Sequence, residues 1–336
     1  MPRPLAAIVG AGLMGRWHAR YAARAGVEVA AIVDPRTEAA AALHRSFPRA
    51  RTFASLEDCL AAGSADAVHV CTAAESHARL ARLALLAGRH VLVEKPGASN
   101  AAEAAALVDL ARQKGLRLCP VHQFPFQRGF ARLMADLPRL GELLRVEYVV
   151  RSAGGAGKTP AERRALLLEI LPHPVSLFRR VLGHGMDATA WEVLAFGDDE
   201  MELAGSDGGR RLRIDVGLRA RPTRNELVVS GARATGRVDL FHGYAVLETG
   251  GTSRAAKATA PLRASARLLW TAGTNLARRA LGREPAFPGL RELIRLFYGS
   301  IESMPPPIHS MPPPIRPEEI QEAAALIERV GAVQRS

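Results

Sequence analysis

The chain has 336 residues, 48% hydrophobic and 23% charged, a balance that fits a folded protein of two domains and excludes a disordered or fibrous one. Its formal net charge of +12 is high, but aromatic residues make up only 5% and no nucleic-acid module occurs, so nucleic acid is not an expected partner. Cys59, Cys71 and Cys119 lie far apart without metal-ligand spacing, so no metal is expected and the cysteines read as free, mostly buried thiols in a reducing compartment.

The first apolar run, Leu5–Val9, enters Gly10-Ala-Gly12-Leu13-Met14-Gly15 and then a helix predicted over Gly12–Ala25. A strand running through such glycines into a helix is the context of a dinucleotide fingerprint. Gly10 allows the tight turn, Gly12 allows backbone to approach a pyrophosphate, and Gly15 allows close helix–strand packing. Gly10, Gly12, Leu13, Met14 and Gly15 are therefore candidate cofactor contacts, with the pyrophosphate on the helix N-terminus. Asp34 closes the next strand, Val27–Asp34, about twenty residues on, where a carboxylate accepts ribose hydroxyls. That residue favours NAD; Arg36, two positions later, leaves NADP as the alternative.

Further strands are predicted at Ala50–Phe53, Ala67–Cys71, His90–Glu94 and Arg117–Val121. Helices are predicted at Thr37–Ser46, Leu56–Ala61, Glu75–Ala87 and Asn100–Lys114, with Ser55 and Asn100 as N-caps. This alternation is that of a doubly wound parallel sheet over residues 1–122. No apolar run nears the length of about 20 residues that spans a bilayer. A strand beginning by Leu5 leaves no room for a signal peptide, so the cytoplasm is the expected compartment.

After residue 122 the pattern changes. A helix is predicted at Phe124–Ala135, a strand at Leu143–Val150, a Gly-rich loop over 154–158 and a helix at Leu166–Leu182. Short alternating runs from Trp191 to Glu248 read as hairpin-connected strands. Residues 123–316 thus read as an α+β domain with an open, mainly antiparallel sheet. Within it, residues 254–291 carry eight Arg or Lys against Glu284 alone, and apolar residues recur at helical spacing. That insertion is expected to pack on its own domain or a second subunit; peripheral contact with an anionic membrane is the less favoured alternative. Ser303–Arg316 is a tandem heptapeptide, Ser-Met-Pro-Pro-Pro-Ile-His then Ser-Met-Pro-Pro-Pro-Ile-Arg, expected as an extended polyproline loop. Residues 317–336 hold a last helix, expected to pack back on the first domain.

Ligands of open parallel sheets bind beyond the carboxyl ends of the strands, where Asp34, Glu94-Lys95-Pro96 and His122 fall. A lysine there can act as an acid or base beside a cofactor. The glycine segment, Cys71-Thr-Ala-Ala-Glu-Ser-His77 and Ala84 through Val91-Leu-Val-Glu-Lys-Pro96 together resemble the glucose–fructose oxidoreductase / inositol dehydrogenase / MocA family of NAD(P)-dependent oxidoreductases. The resemblance is specific over residues 5–122 and weaker beyond. It implies hydride transfer at a sugar or cyclitol hydroxyl or carbonyl, with Lys95 near the reacting oxygen, Thr72 and His77 near the nicotinamide ribose, and Glu94 and Lys95 among the cofactor contacts. It also implies a homo-oligomer, dimer or tetramer, built on the open sheet.

The family's Asp-x-x-x-His element matches Glu169-Ile-Leu-Pro-His173, with Glu in place of Asp and Arg164-Ala-Leu where glycines stand. Four-residue spacing places Glu169 and His173 on one helical face. Since imidazole titrates near neutrality, His173 is the candidate proton shuttle and Glu169 its partner or a substrate ligand. His122 and Gln123 are further substrate candidates at a strand end. Lys158, Arg163 and Arg164 precede the same helix and would suit an anionic substrate, although exposed surface is the better expectation for them.

The function expected is an NAD(P)-dependent dehydrogenase or reductase acting on CH–OH groups of a sugar-like small molecule. Two alternatives stand beside it. One is a non-redox, NAD-using epimerase or glycosidase type; the other is a non-catalytic dinucleotide-binding scaffold with a docking helix.

Overall fold

The computed structural model describes residues 3–63, 65–250, 253–282, 286–302 and 312–333. Two compact units emerge, Met1–His122 with Leu290–Glu328, and Gln123–Gly289 with Arg329–Ser336.

The first unit alternates β1 (Leu5–Val9), α1 (Leu13–Arg24), β2 (Glu28–Val33), α2 (Thr37–His44), β3 (Arg51–Phe53), α3 (Leu56–Ala61), β4 (Ala67–Val70), α4 (His77–Leu86), β5 (His90–Val93), α5 (Ala101–Gln113) and β6 (Leu118–Pro120). All strand pairs are parallel, in the order β3-β2-β1-β4-β5-β6. This is the doubly wound order, whose direction reverses between β1 and β4. Central strands covered on both faces need continuous apolar runs, and β4 is buried at every position. Val9, Val33, Val70, Val93, Leu85 and Leu107 share one core. Caps fix the helix starts: the Ser55 side chain accepts from Asp58 N–H, and Asn100 accepts from Glu103 N–H.

The second unit contains α6 (Arg128–Leu140), β7 (Leu143–Arg151), α7 (Pro160–Ile170), α8 (Pro172–Leu182), β8 (Ala190–Phe196), β9 (Glu200–Asp207), β10 (Arg210–Gly217), β11 (Arg224–Gly231), β12 (Ala234–Asp239), β13 (Tyr244–Thr249) and α9 (Arg254–Leu281). Its sheet runs β13-β12-β11-β7-β10-β9-β8; β7 and β10 pair in parallel and the other neighbours are antiparallel. The period of two buries Val146, Tyr148 and Val150 on one face. The opposite face carries ion pairs such as Arg213 with Glu202. The last helices are α10 (Leu290–Glu302) and α11 (Glu318–Ala332).

Four expectations change. The single helix Leu166–Leu182 is two, α7 and α8, joined at Leu171, because Pro172 has no N–H to continue the ladder. A Thr159–Glu162 capping box starts α7 earlier than the apolar periodicity suggested. The helix expected from Phe124 is a short 3-10 turn, Phe124–Phe126, followed by α6, which runs on to Leu140. Residues 290–316, read as part of the second domain, cluster with the first unit, where α10 packs on α1. Of the tandem heptapeptide, residues 303–311 lie outside the described residues.

Candidate active site

The carboxyl ends of the parallel strands form one hydrogen-bonded row. Asp34 N–H donates to Phe53 O, Gly10 N–H to Val33 O, Cys71 N–H to Val9 O, Glu94 N–H to Val70 O and Val121 N–H to Val93 O, at 2.8–3.1 Å. The row brings residues distant in sequence to one edge: the glycine turn, Asp34, Thr72 and Glu94-Lys95-Pro96.

The turn itself fits a dinucleotide. Gly10 has φ +95°, and a Cβ there would lie 2.6 Å from Cys71 O. A Cβ on Gly15 would lie 1.8 Å from Gly10 O, so no side chain is compatible with α1 this close to the turn. Gly12 differs: a Cβ there would meet nothing within 4 Å. The space above Gly12 and the uncapped first turn of α1, which has no acidic residue, suit a pyrophosphate. Leu13 is 64% exposed beside it.

Asp34 is buried and ties the glycine turn to the end of β2. Its Oδ2 accepts from Ala11 N–H at 2.9 Å, and its two oxygens accept Nε and Nη2 of Arg36 at 3.0 and 2.9 Å. Burial alone would raise this carboxyl, but the hydrogen bonds from Arg36 and Ala11 outweigh it and hold it below its ordinary value. The Arg36 side chain is 69% exposed, so the ion pair is solvent-screened and open to exchange for ribose hydroxyls.

Glu94 is the buried anchor of the second element. Its Oε1 lies 3.1 Å from His18 Nε2, and its Oε2 accepts Lys95 N–H at 3.2 Å. Burial pushes the Glu94 carboxyl up; the His18 bond and the charges of His18 and Lys95 outweigh that and bring it below its ordinary value. His18 Nδ1 is 3.0 Å from His69 Nδ1, and His69 Nε2 is 2.8 Å from Tyr298 Oη. Burial, then the His18 charge, keeps His69 neutral, and burial keeps the Tyr298 phenol protonated. His18 Nε2–H donates to the Glu94 carboxylate, which can only accept. The sequence reading missed His18, His69 and Tyr298. A histidine inside the buried strand Ala67-Val-His-Val70 was the available signal, since a buried polar ring needs partners.

The remaining candidates are placed as follows. His77 is buried at the start of α4, its ring nitrogens 2.7 Å from Pro96 O and 3.0 Å from Thr72 O, linking the loops after β4 and β5. Thr72 Oγ1 is 2.6 Å from Ser76 Oγ. Lys95 is half-buried. His122 is buried, with Nδ1 3.3 Å from Glu319 of α11. Gln123 begins the second unit and leads into the 3-10 turn Phe124–Phe126. Glu169 ends α7 half-buried and His173 begins α8 buried, so the pair spans a helix joint rather than one continuous helix. Leu171 at the joint keeps right-handed helical angles, and the His173 ring tilts against Phe124 with centroids 4.3 Å apart. Arg163 pairs with Asp199 and Arg164 with Asp198, while Lys158 is exposed. No helix among the described residues is long and apolar enough to cross a membrane, and none of their side chains cluster as metal ligands.

Known proteins share the fold of this chain. Residues 5–122 match the model of an oxidoreductase family with an NAD-binding Rossmann fold. UDP-N-acetylglucosamine 3-dehydrogenase of Acidithiobacillus ferrooxidans is 35% identical over 132 residues, 37% of this chain and 41% of that protein. Inositol 2-dehydrogenase 2 of Saccharopolyspora erythraea is 32% identical over 184 residues, 52% of this chain and 53% of that protein. The chain thus spans about half, or less, of the curated relatives it matches. The WlbA dehydrogenase of Bordetella pertussis, solved with NADH and UDP-GlcNAcA, shares the fold: TM-score 0.74 at 19% identity, covering 99% of this chain and 96% of that one. Residues 5–122 are thus similar to the NAD-binding Rossmann domain of the glucose–fructose oxidoreductase / inositol dehydrogenase / MocA oxidoreductases.

Proposed function

We propose that the chain is an NAD(P)-dependent oxidoreductase moving a hydride between nicotinamide and a hydroxyl or carbonyl carbon of a sugar-like substrate. NAD is the favoured cofactor and NADP the alternative, on the strength of Asp34 at the end of β2. The observation that carries the reading is the row of strand ends, which aligns the glycine turn with Glu94 and Lys95.

When bound, the cofactor supplies the carbon that accepts or gives the hydride. Gly10, Gly12 and Gly15 shape its pyrophosphate site, and Asp34 accepts its ribose hydroxyls, with Arg36 the alternative contact for a 2′-phosphate. The Lys95 ammonium donates to the substrate oxygen and handles the hydroxyl proton. Glu94, held by His18, fixes the backbone on which Lys95 sits. His173 and Glu169 are assigned as the second proton-handling pair from their residue types and spacing. The relatives named above act on a sugar nucleotide and a cyclitol, which makes a secondary ring hydroxyl the substrate class to try first. A dimer or tetramer is the assembly proposed for the chain.

The test is a screen of cyclitols and UDP-sugars for appearance of reduced nicotinamide, run with wild type and Lys95→Ala. Turnover by wild type, lost by about two to four orders of magnitude in the variant with NADH affinity kept, supports the reading. Undiminished turnover by Lys95→Ala would overturn it.

A further inference from the structure

Helix α9 points its apolar side away from the protein. Leu262, Leu269 and Leu276 recur every seven residues with Ala266, Gly273 and Ala280 between them, a single stripe along the helix. Leu262, Leu269, Trp270 and Leu276 are 74%, 77%, 74% and 70% exposed. The side turned toward the sheet is the polar one. Asn275 Nδ2 and Arg279 Nη1 both donate to His242 O at 2.9 Å, Arg267 Nη1 donates to Leu247 O at 2.8 Å, and Thr271 and Thr274 are half-buried. A helix that only completed its own domain would have the opposite arrangement.

Charge identifies what covers the stripe. Residues 254–281 contain six Arg or Lys and no Asp or Glu. On the helical wheel Arg263 lies at the Trp270 edge of the stripe, and Arg254 and Arg279 lie at the other. Two copies packed stripe to stripe would bring together the exposed Arg254 and Arg263 of each along the stripe's edges, with no acid on either helix to pair them. An anionic surface with an apolar interior complements both the edges and the stripe.

We propose that α9 is a docking helix for an anionic lipid surface, lying in the interface with Leu262, Leu269, Trp270 and Leu276 among the acyl chains and Arg254 and Arg263, at the stripe's two edges, on the headgroups. At about 1.5 Å per residue the 28-residue helix is long enough to span a bilayer, but its basic residues and low hydropathy keep it on the surface. The inference is independent of the proposed chemistry, since it uses no residue assigned to the cofactor or the substrate.

Flotation of the full chain with vesicles tests it. The chain should float with equimolar phosphatidylcholine and phosphatidylglycerol, stay behind with phosphatidylcholine alone, and dissociate as salt is raised. Leu269→Glu/Leu276→Glu alters only exposed positions; it should weaken binding by at least about tenfold while melting temperature and NADH affinity stay as in wild type. Failure of the wild type to bind the anionic vesicles would overturn the proposal. So would binding that survives the double substitution. A lipid-free dimer split by that substitution, with no vesicle binding, would assign the stripe to a second copy instead.

Discussion

His18 Nε2 lies 3.1 Å from Glu94 Oε1, although 76 residues separate them. The helix that starts at the glycine turn therefore also holds the carboxylate preceding Lys95. A single element serves both the pyrophosphate end of the site and the end where proton chemistry is proposed.

Removing His18 should leave a buried carboxylate without its main partner. His18→Ala is expected to cost about 3–5 kcal/mol, read from chemical denaturation at neutral pH. The sign of the pH effect follows from the depressed Glu94 value. Between the folded and unfolded values the unfolded chain binds more protons, so wild-type stability rises with pH there. The His18 contribution is fully present above the ordinary glutamate value and fades as pH falls below it. The stability gap between wild type and His18→Ala should accordingly narrow below about pH 4. A gap that does not change with pH would mean the histidine is only packing.

Gly12 and Gly15 should separate binding from folding. Gly12 has φ −72° with open space above it, so Gly12→Ala should keep the wild-type melting temperature and lose NADH affinity. Gly15→Ala puts a methyl into Gly10 O and should destabilise the fold by about 3 kcal/mol. Thermal melts with and without NADH distinguish the two outcomes.

Asp34 should matter more for NADH than for NADPH. Losing a carboxylate that accepts charge-assisted hydrogen bonds weakens binding by about tenfold to hundredfold, so Asp34→Ala should lower NADH affinity by that factor. Its effect on NADPH should be smaller, because Arg36 is then released from Asp34 to meet a phosphate. Fluorescence titration with each reduced cofactor checks this; tight NADPH binding with no NADH binding by the wild type would reverse the cofactor choice.

Much of the first unit was legible in the sequence because its signals are local. Apolar runs, the caps Ser55 and Asn100 and the spacing of Gly10, Gly12 and Gly15 act within a few residues of each other. The same is true of Asp34 and Glu94-Lys95-Pro96, whose strand-end positions follow from chain alternation. Pro172 was visible too, but the apolar periodicity on both sides masked the break it makes between α7 and α8.

What the sequence alone determined is the parallel-sheet fold of the first unit and its glycine turn, because short-range sterics and hydrogen bonding specify them. Tertiary structure decided the rest. Tyr298 reaches His69, and α10 joins the first unit, through contacts between segments more than two hundred residues apart. The outward direction of the α9 stripe was equally unreadable: helical periodicity shows that one face is apolar, while only packing against the sheet decides which face is left to solvent.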